Sequence, residues 1–226
     1  MYHRELGRGI GTMDWKVEKN KLHHMNFRKK IEYLGTYYRW TAVLLLAILL
    51  LLIYFGDLAY RSTKTFVLQG FIANDEQQLF DEKDLTSGFS SYLGLGPKEI
   101  VVFDDSLYVQ FGKADHYIEA SMAKIYAYMA AKELDFLIAP EFVVDHYLSA
   151  LSMRDFTHVY TNADPTLIKQ LESHLHSSLS SDGIEGRYKL DLGFSRYSGN
   201  IPLYMIIPKG SPNPEMVLKF LKYIQR

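Results

Sequence analysis

Cysteine is absent from the 226 residues, which excludes a disulfide framework, a thiolate metal centre and a lipid carried on a cysteine. A chain of this size can hold together through its own apolar core, so the fold loses nothing by it. Charge is missing from one long stretch, the run WTAVLLLAILLLLIYF from Trp40 to Phe55. A helix buried in a globular core rarely runs so far without a polar face. A large excess of one charge sign is also missing, the net charge being −1. That balance hides an asymmetry: nine Lys/Arg against four Asp/Glu precede Trp40, whereas 16 against 22 follow Phe55. The acidic character of the downstream part speaks against nucleic-acid binding.

What is present is apolar and aromatic. Hydrophobic residues make up 48% of the chain, with 13 Phe, 17 Tyr and 2 Trp, which argues against a disordered stalk. With softer edges included, Tyr37 to Leu58 gives 22 residues, roughly 33 Å as a helix and about the thickness of a bilayer's hydrocarbon core. Tyr37, Tyr38 and Trp40 at one end and Tyr54, Phe55 and Tyr60 at the other suit the headgroup zone. Arg28, Lys29, Lys30 and Arg39 flank the run on its N-terminal side and outweigh Arg61 and Lys64, which Asp57 partly offsets. The expected topology is single-pass, with the N-terminus cytoplasmic, the C-terminal domain extracytoplasmic and the lipid bilayer as a partner. Cleavage as a signal peptide is disfavoured, because Asp57-Leu58-Ala59 puts Asp where a small residue is wanted. The boundaries read as a basic tail over 1–36, a transmembrane helix over 37–58, a tether over 59–64 and an α/β domain over 65–226.

Residues 1–24 show neither helical nor strand period and read as disordered; Gly7, Gly9 and Gly11 lack the strand and helix that a phosphate-binding loop needs. Met25 opens a short basic amphipathic segment running into the apolar stretch and is an alternative start of translation. In the domain, Phe66–Leu68 and Phe71–Ala73 read as a strand buried on both faces. A helix is expected near Leu85–Leu93, ended by Gly94. Ile100–Phe103 is a second buried strand, Asp104–Ser106 a turn, and Leu107–Phe111 a further strand. Asp115–Leu134 is the clearest helix, with Ile118, Met122, Ile125 and Met129 forming its buried stripe. Asp135–Ala139 reads as a strand, Glu141–Ala150 as a helix opened by Pro140, and Phe156–Tyr160 as a short strand. A helix capped at Asn162 or Asp164 runs to about Leu175, and Ser177–Gly183 is a polar loop. Strands at Ile184–Leu192 and Pro202–Ile207 lead to a closing helix from Glu215. This alternation predicts a small three-layer α/β domain.

Two stretches carry a family resemblance. MNFRKKIEYLGTYYRW with the apolar run that follows resembles the start of small single-pass membrane proteins common in Firmicute-type bacteria. FDDSLYVQFGKADHYIEASMAKIYAYMAAKELDFLIAPEFVVDHYLSA resembles their ectodomain, which is similar to a shortened extracellular solute-binding domain of the two-lobed periplasmic type. The closing PLYMIIPKGSPNPEMVLKFLKYIQR is similar to that family's apolar strand, small polar turn and last helix. The resemblance covers about half of the chain and implies non-catalytic recognition of a small ligand.

Open α/β sheets bind ligands beyond the carboxyl ends of their strands. That rule selects Asn74, Asp75, Asp104, Asp105 and Glu141, with Tyr108, Tyr160, Tyr197 and Tyr204 as candidate walls. Asp104 and Asp105 are adjacent and point apart, which suits neither a shared proton nor a metal pair. His174 and His176 fall on different sides of a helix, His23 and His24 sit poorly for one metal, and His116, His146 and His158 complete no triad by spacing. No catalytic residue, metal or cofactor is expected. The expected function is recognition of a small ligand or a protein partner; the alternative is a structural or accessory subunit of a membrane transporter or envelope complex.

Overall fold

The computed structural model describes Asn26, residues 39–159 and residues 164–225. The expectations placed on residues 1–25, on Tyr37 and Tyr38, and on Tyr160 and Asn162 lie outside them. The chain divides into two compact units, residues 1–62 and 63–226.

The first unit contains helix α1 (Arg39–Ser62), 24 residues long. Within it, described side chains run without a break from 43 to 58, and every one of them is exposed. Among the described residues no helix is long and apolar enough to cross a membrane.

The second unit is a mixed α/β domain. Its strands are β1 (Thr65–Ala73), β2 (Glu99–Leu107), β3 (Phe136–Pro140), β4 (Leu175–Leu179), β5 (Glu185–Asp191) and β6 (Leu203–Ile206). Between them lie α2 (Glu82–Leu93), α3 (His116–Ala131), α4 (Glu141–Ala150), a single turn α5 (Phe156–Val159) and α6 (Pro165–Glu172), and α7 (Pro214–Ile224) closes the domain. The sheet order is β2-β1-β3-β6-β5-β4. Strands β2, β1 and β3 are parallel, whereas β6, β5 and β4 join by antiparallel pairing.

Alternation along the central strands fills two cores. Leu68 and Ile72 of β1 and Phe136 and Ile138 of β3 pack with Leu85 and Phe89 of α2 and with Val217, Phe220 and Leu221 of α7. Phe71 and Ala73 of β1 and Leu137 and Ala139 of β3 pack on the other face with Ile125 and Met129 of α3 and Val144, Tyr147 and Leu148 of α4. A strand buried on both sides reads as a continuous apolar run, which is why β1 and β3 are visible in the sequence. The first core is aromatic at its centre: Phe220 lies 4.8 Å from Phe136 ring to ring, 5.2 Å from Phe103 and 5.4 Å from Phe89. Gly70, paired with Phe136 across the sheet, leaves room for that ring, since a Cβ there would stand 2.2 Å from it.

Helix ends follow their side chains. The Asp115 carboxylate accepts the Tyr117 and Ile118 amides at the start of α3, and Gly94 ends α2 in the left-handed region. Lys132 ends α3 at φ 60, a conformation that favours glycine.

Four expectations need correction. Asp104–Ser106 is not a turn but lies inside β2, where Asp105 and Ser106 are accommodated by a register shift opposite Ile72. Asp104 holds this bulge by accepting the Ser106 amide at 3.0 Å and its hydroxyl at 2.6 Å. Consequently β2 ends at Leu107 and no strand follows to Phe111. Phe156–Val159 is a helical turn rather than a strand, because Asp155 accepts the Thr157 amide at 2.7 Å and hydroxyl at 2.6 Å and so caps it. The expected loop at Ser177–Gly183 begins as β4, an edge strand defined by its ladder with β5.

Candidate functional site

The carboxyl ends of β1, β2 and β3 bring the predicted residues to one end of the sheet, and the chain's own groups engage most of them. Asn74, buried and at φ 56, exchanges two hydrogen bonds with Val109: its Nδ2 donates to the carbonyl at 2.9 Å and its Oδ1 accepts the amide at 2.8 Å. Asp75 Oδ2 accepts the Phe80 amide at 2.7 Å, and its buried Oδ1 makes no hydrogen bond. Asp105 accepts the Glu82 amide at 3.0 Å, next to the start of α2. The Tyr108 amide donates to the Ser121 hydroxyl at 3.3 Å. Asp104 faces α3, where the Lys124 ammonium donates to it. Burial alone would raise the Asp104 carboxyl, but the hydrogen bonds from Lys124 and Ser106 outweigh it and hold the group below the usual carboxylate range. None of these residues, nor Glu141, lines any of four cavities of roughly 130 to 510 Å³ in the domain. The smallest, about 130 Å³, lies beside Asp191 and Tyr197 at this same end.

Glu141 belongs to a cluster that the sequence does not announce. Lys189 of β5 is buried and donates to Glu141 at 2.8 Å and to Asp145, one turn along α4, at 2.9 Å. A bulge places it there: His176 pairs with Lys189 and Ser177 with Arg187, leaving Tyr188 as the extra residue. Arg187's amide donates instead to Asp155 at 3.0 Å. Burial pulls the Lys189 ammonium down, yet its two carboxylate partners more than reverse that and raise it. Glu141 is correspondingly lowered by the Lys189 hydrogen bond. An ammonium held this way is a fixed cation and serves neither as base nor as nucleophile. Its side chain lies 5.5 Å from the Tyr204 ring, which also meets His176 edge-on at 5.6 Å. Burial raises the Tyr204 phenol, so it stays protonated.

Beside this cluster the surface turns aromatic. Phe111, Tyr117 and Phe142 are 38%, 56% and 51% exposed. Phe111 meets Phe142 edge-on at 6.1 Å and lies over the His146 ring at 4.2 Å. His146 Nε2 is 2.8 Å from the Tyr126 hydroxyl, and the buried Tyr147 hydroxyl behind them has no hydrogen-bond partner. Tyr117 is steered by its hydroxyl donating to the Ser106 carbonyl. Acidic side chains border the patch along the chain, Asp115, Glu119, Glu141 and Asp145, with Lys113 as the cation next to Phe111. Tyr197 is half-buried and stacks on Phe80 at 4.6 Å. On α1, Trp40 and Tyr54 are exposed. Among the described residues no three or more His, Asp or Glu side chains form a group able to hold a metal ion. Comparison with protein-family models, with curated proteins and with solved structures finds no match to this chain.

Proposed function

We propose that this chain anchors a small α/β domain to a membrane, with its basic N-terminal part on the cytoplasmic side, and that the domain recognises a protein partner without catalysis. In this reading it resembles one shortened lobe of an extracellular solute-binding protein. The carrying observation is the exposed edge-on pair of Phe111 and Phe142 over His146, with Tyr117 also exposed at the start of α3. Exposed aromatics are the usual anchors of a protein interface. The hydrogen bonds that Asn74, Asp75 and Asp105 make with backbone groups weigh against an enclosed solute site at the carboxyl ends of the parallel strands. Anchoring is supported by α1, whose described leucines all face outward, an arrangement favourable in hydrocarbon and costly in water.

The test uses the full chain in native membranes. Protease added to intact cells digests residues 63–226 if the topology holds, and sparing them overturns it. Photo-crosslinkers placed at Phe111 and Phe142 should trap one discrete protein, and Phe111→Ser with Phe142→Ser should abolish the adduct formed from Tyr117. Thermal stabilisation by a soluble metabolite, retained in the double variant, would replace the partner with a small ligand.

The alternative, a purely structural accessory subunit, draws on a separate observation: among the described residues β4 pairs with β5 alone and stands at the edge of the sheet. Crosslinks from Ser178 in place of Phe111 would favour it.

A further inference from the structure

We propose that the opposite end of the sheet, where the parallel strands begin, holds a binding site for a small organic ammonium ion with an apolar body. A cavity of about 440 Å³ opens there between Phe66 and Gln69 of β1, Val102 of β2 and the last turn of α3, within the usual size range of small-molecule sites.

Two observations give it a chemistry. The first is Gln69, a polar residue inside the apolar strand β1. It is 8% exposed and lines the cavity, while its side-chain amide makes no hydrogen bond within the described residues. That amide is not one of the groups closed off from water without a partner, so in the open cavity it is hydrated and can exchange that water for a ligand. The second is Asp135, fully buried in the cavity wall. Its oxygens accept the Gln69 amide at 2.8 Å, the Asn213 amide at 2.8 Å, the Ser211 hydroxyl at 3.0 Å and, more loosely, the Asn213 side chain at 3.4 Å. Every donor is neutral, and no described cation forms an ion pair with it. The carboxylate is therefore satisfied in hydrogen bonds but not in charge. In a water-poor wall its field reaches into the cavity and favours a cation.

The remaining walls agree with that sign. Phe66 and Tyr128 place aromatic rings in the wall, where an ammonium is favoured. Lys124 already lies 6.0 Å from the Tyr128 ring, but Asp104 neutralises it. At the rim Lys132 and Glu133 oppose each other, which leaves Asp135 as the uncompensated charge. An anionic ligand would have Lys132 in its favour and two carboxylates against it. The ammonium N–H donates to the Gln69 carbonyl, and the apolar body rests on Val102 and Phe66.

The experiment is calorimetric titration of the full chain in nanodiscs, corrected with empty nanodiscs. The probes are 2-phenylethylammonium and 3-phenylpropanoate, alike in shape and opposite in charge. The ammonium should saturate and the carboxylate should not. Gln69→Leu should weaken the ammonium about tenfold, and Phe66→Ala, a change at an exposed ring that leaves folding intact, about threefold. Thermal midpoints taken alongside separate lost binding from lost folding. No saturation by the ammonium, equal or tighter binding of the carboxylate, or unchanged affinity in Phe66→Ala overturns the proposal. These outcomes are independent of the partner reading, because neither variant touches the Phe111 patch.

Discussion

At the carboxyl ends of the parallel strands, Asp75 and Asp105 lie partly in water and each accepts a single backbone amide, whereas at the amino ends one carboxylate, Asp135, is wholly buried and gathers donors from two other segments. The first arrangement tunes local turns and helix starts. The second fastens β1, β3 and the approach to α7 to one another. Solvated acids leave a surface able to meet a partner, while a buried acid fixes a rigid wall, and rigid walls make cavities that keep their shape. The rule that ligands sit beyond strand carboxyl ends thus points to the end whose polar groups are already occupied.

The sharpest test of this contrast is Asp135→Ala. It strands the Gln69 and Asn213 amides and the Ser211 hydroxyl, and should cost about 3 kcal/mol or more, roughly a 10 °C fall in Tm by calorimetry. Asp105→Ala removes one exposed cap and should cost about 1 kcal/mol or less; equal losses would erase the difference between the two ends. Next in size is Lys189→Met, which keeps the packing of the stem but leaves Glu141 and Asp145 facing each other. A loss of about 1–2 kcal/mol in urea unfolding is expected, and Glu141 should then titrate nearer the ordinary carboxylate range by NMR. The acid limb of the stability profile comes third. Asp104 titrates lower folded than unfolded, so its contribution is complete above about pH 4 and is lost as pH falls through the folded value. Lys124→Met should therefore make Tm less dependent on pH below about 4, by under about 1 kcal/mol because the lysine is well exposed. Smallest is Lys132→Gly, which relieves a left-handed C-cap and should raise stability by about 0.5–1 kcal/mol.

The sequence discloses those parts whose cause is local. Continuous apolar runs mark β1 and β3, the stripe from Ile118 to Met129 marks α3, and Pro140, Pro165 and Pro214 stand at helix starts as a fixed φ requires. It misleads where pairing overrides composition. Leu-His-Ser-Ser-Leu has little of a strand about it until β5 supplies the ladder, and Asp-Asp-Ser has turn chemistry that a bulge absorbs. Asn74, Asp75 and Glu141 do lie just past strand ends as predicted, whereas Asp105 sits inside β2; the hydrogen bonds of Asn74, Asp105 and Glu141 to the chain itself are long-range and invisible beforehand. Lys189 and Asp145 were out of reach for the same reason, being 44 residues apart and joined through a one-residue slip in register. Gln69 alone left a trace, as the single amide in Thr-Phe-Val-Leu-Gln-Gly-Phe-Ile-Ala.

Since Asp135 reaches the amides of residues 69 and 213 together, the last helix can seat itself only on strands that are already aligned. Phe89, Phe103 and Phe136 meet one another in sequence, and Phe220 of that helix covers all three. Loss of α7 would therefore do more harm to the domain than a comparable loss inside the β4–β5 hairpin.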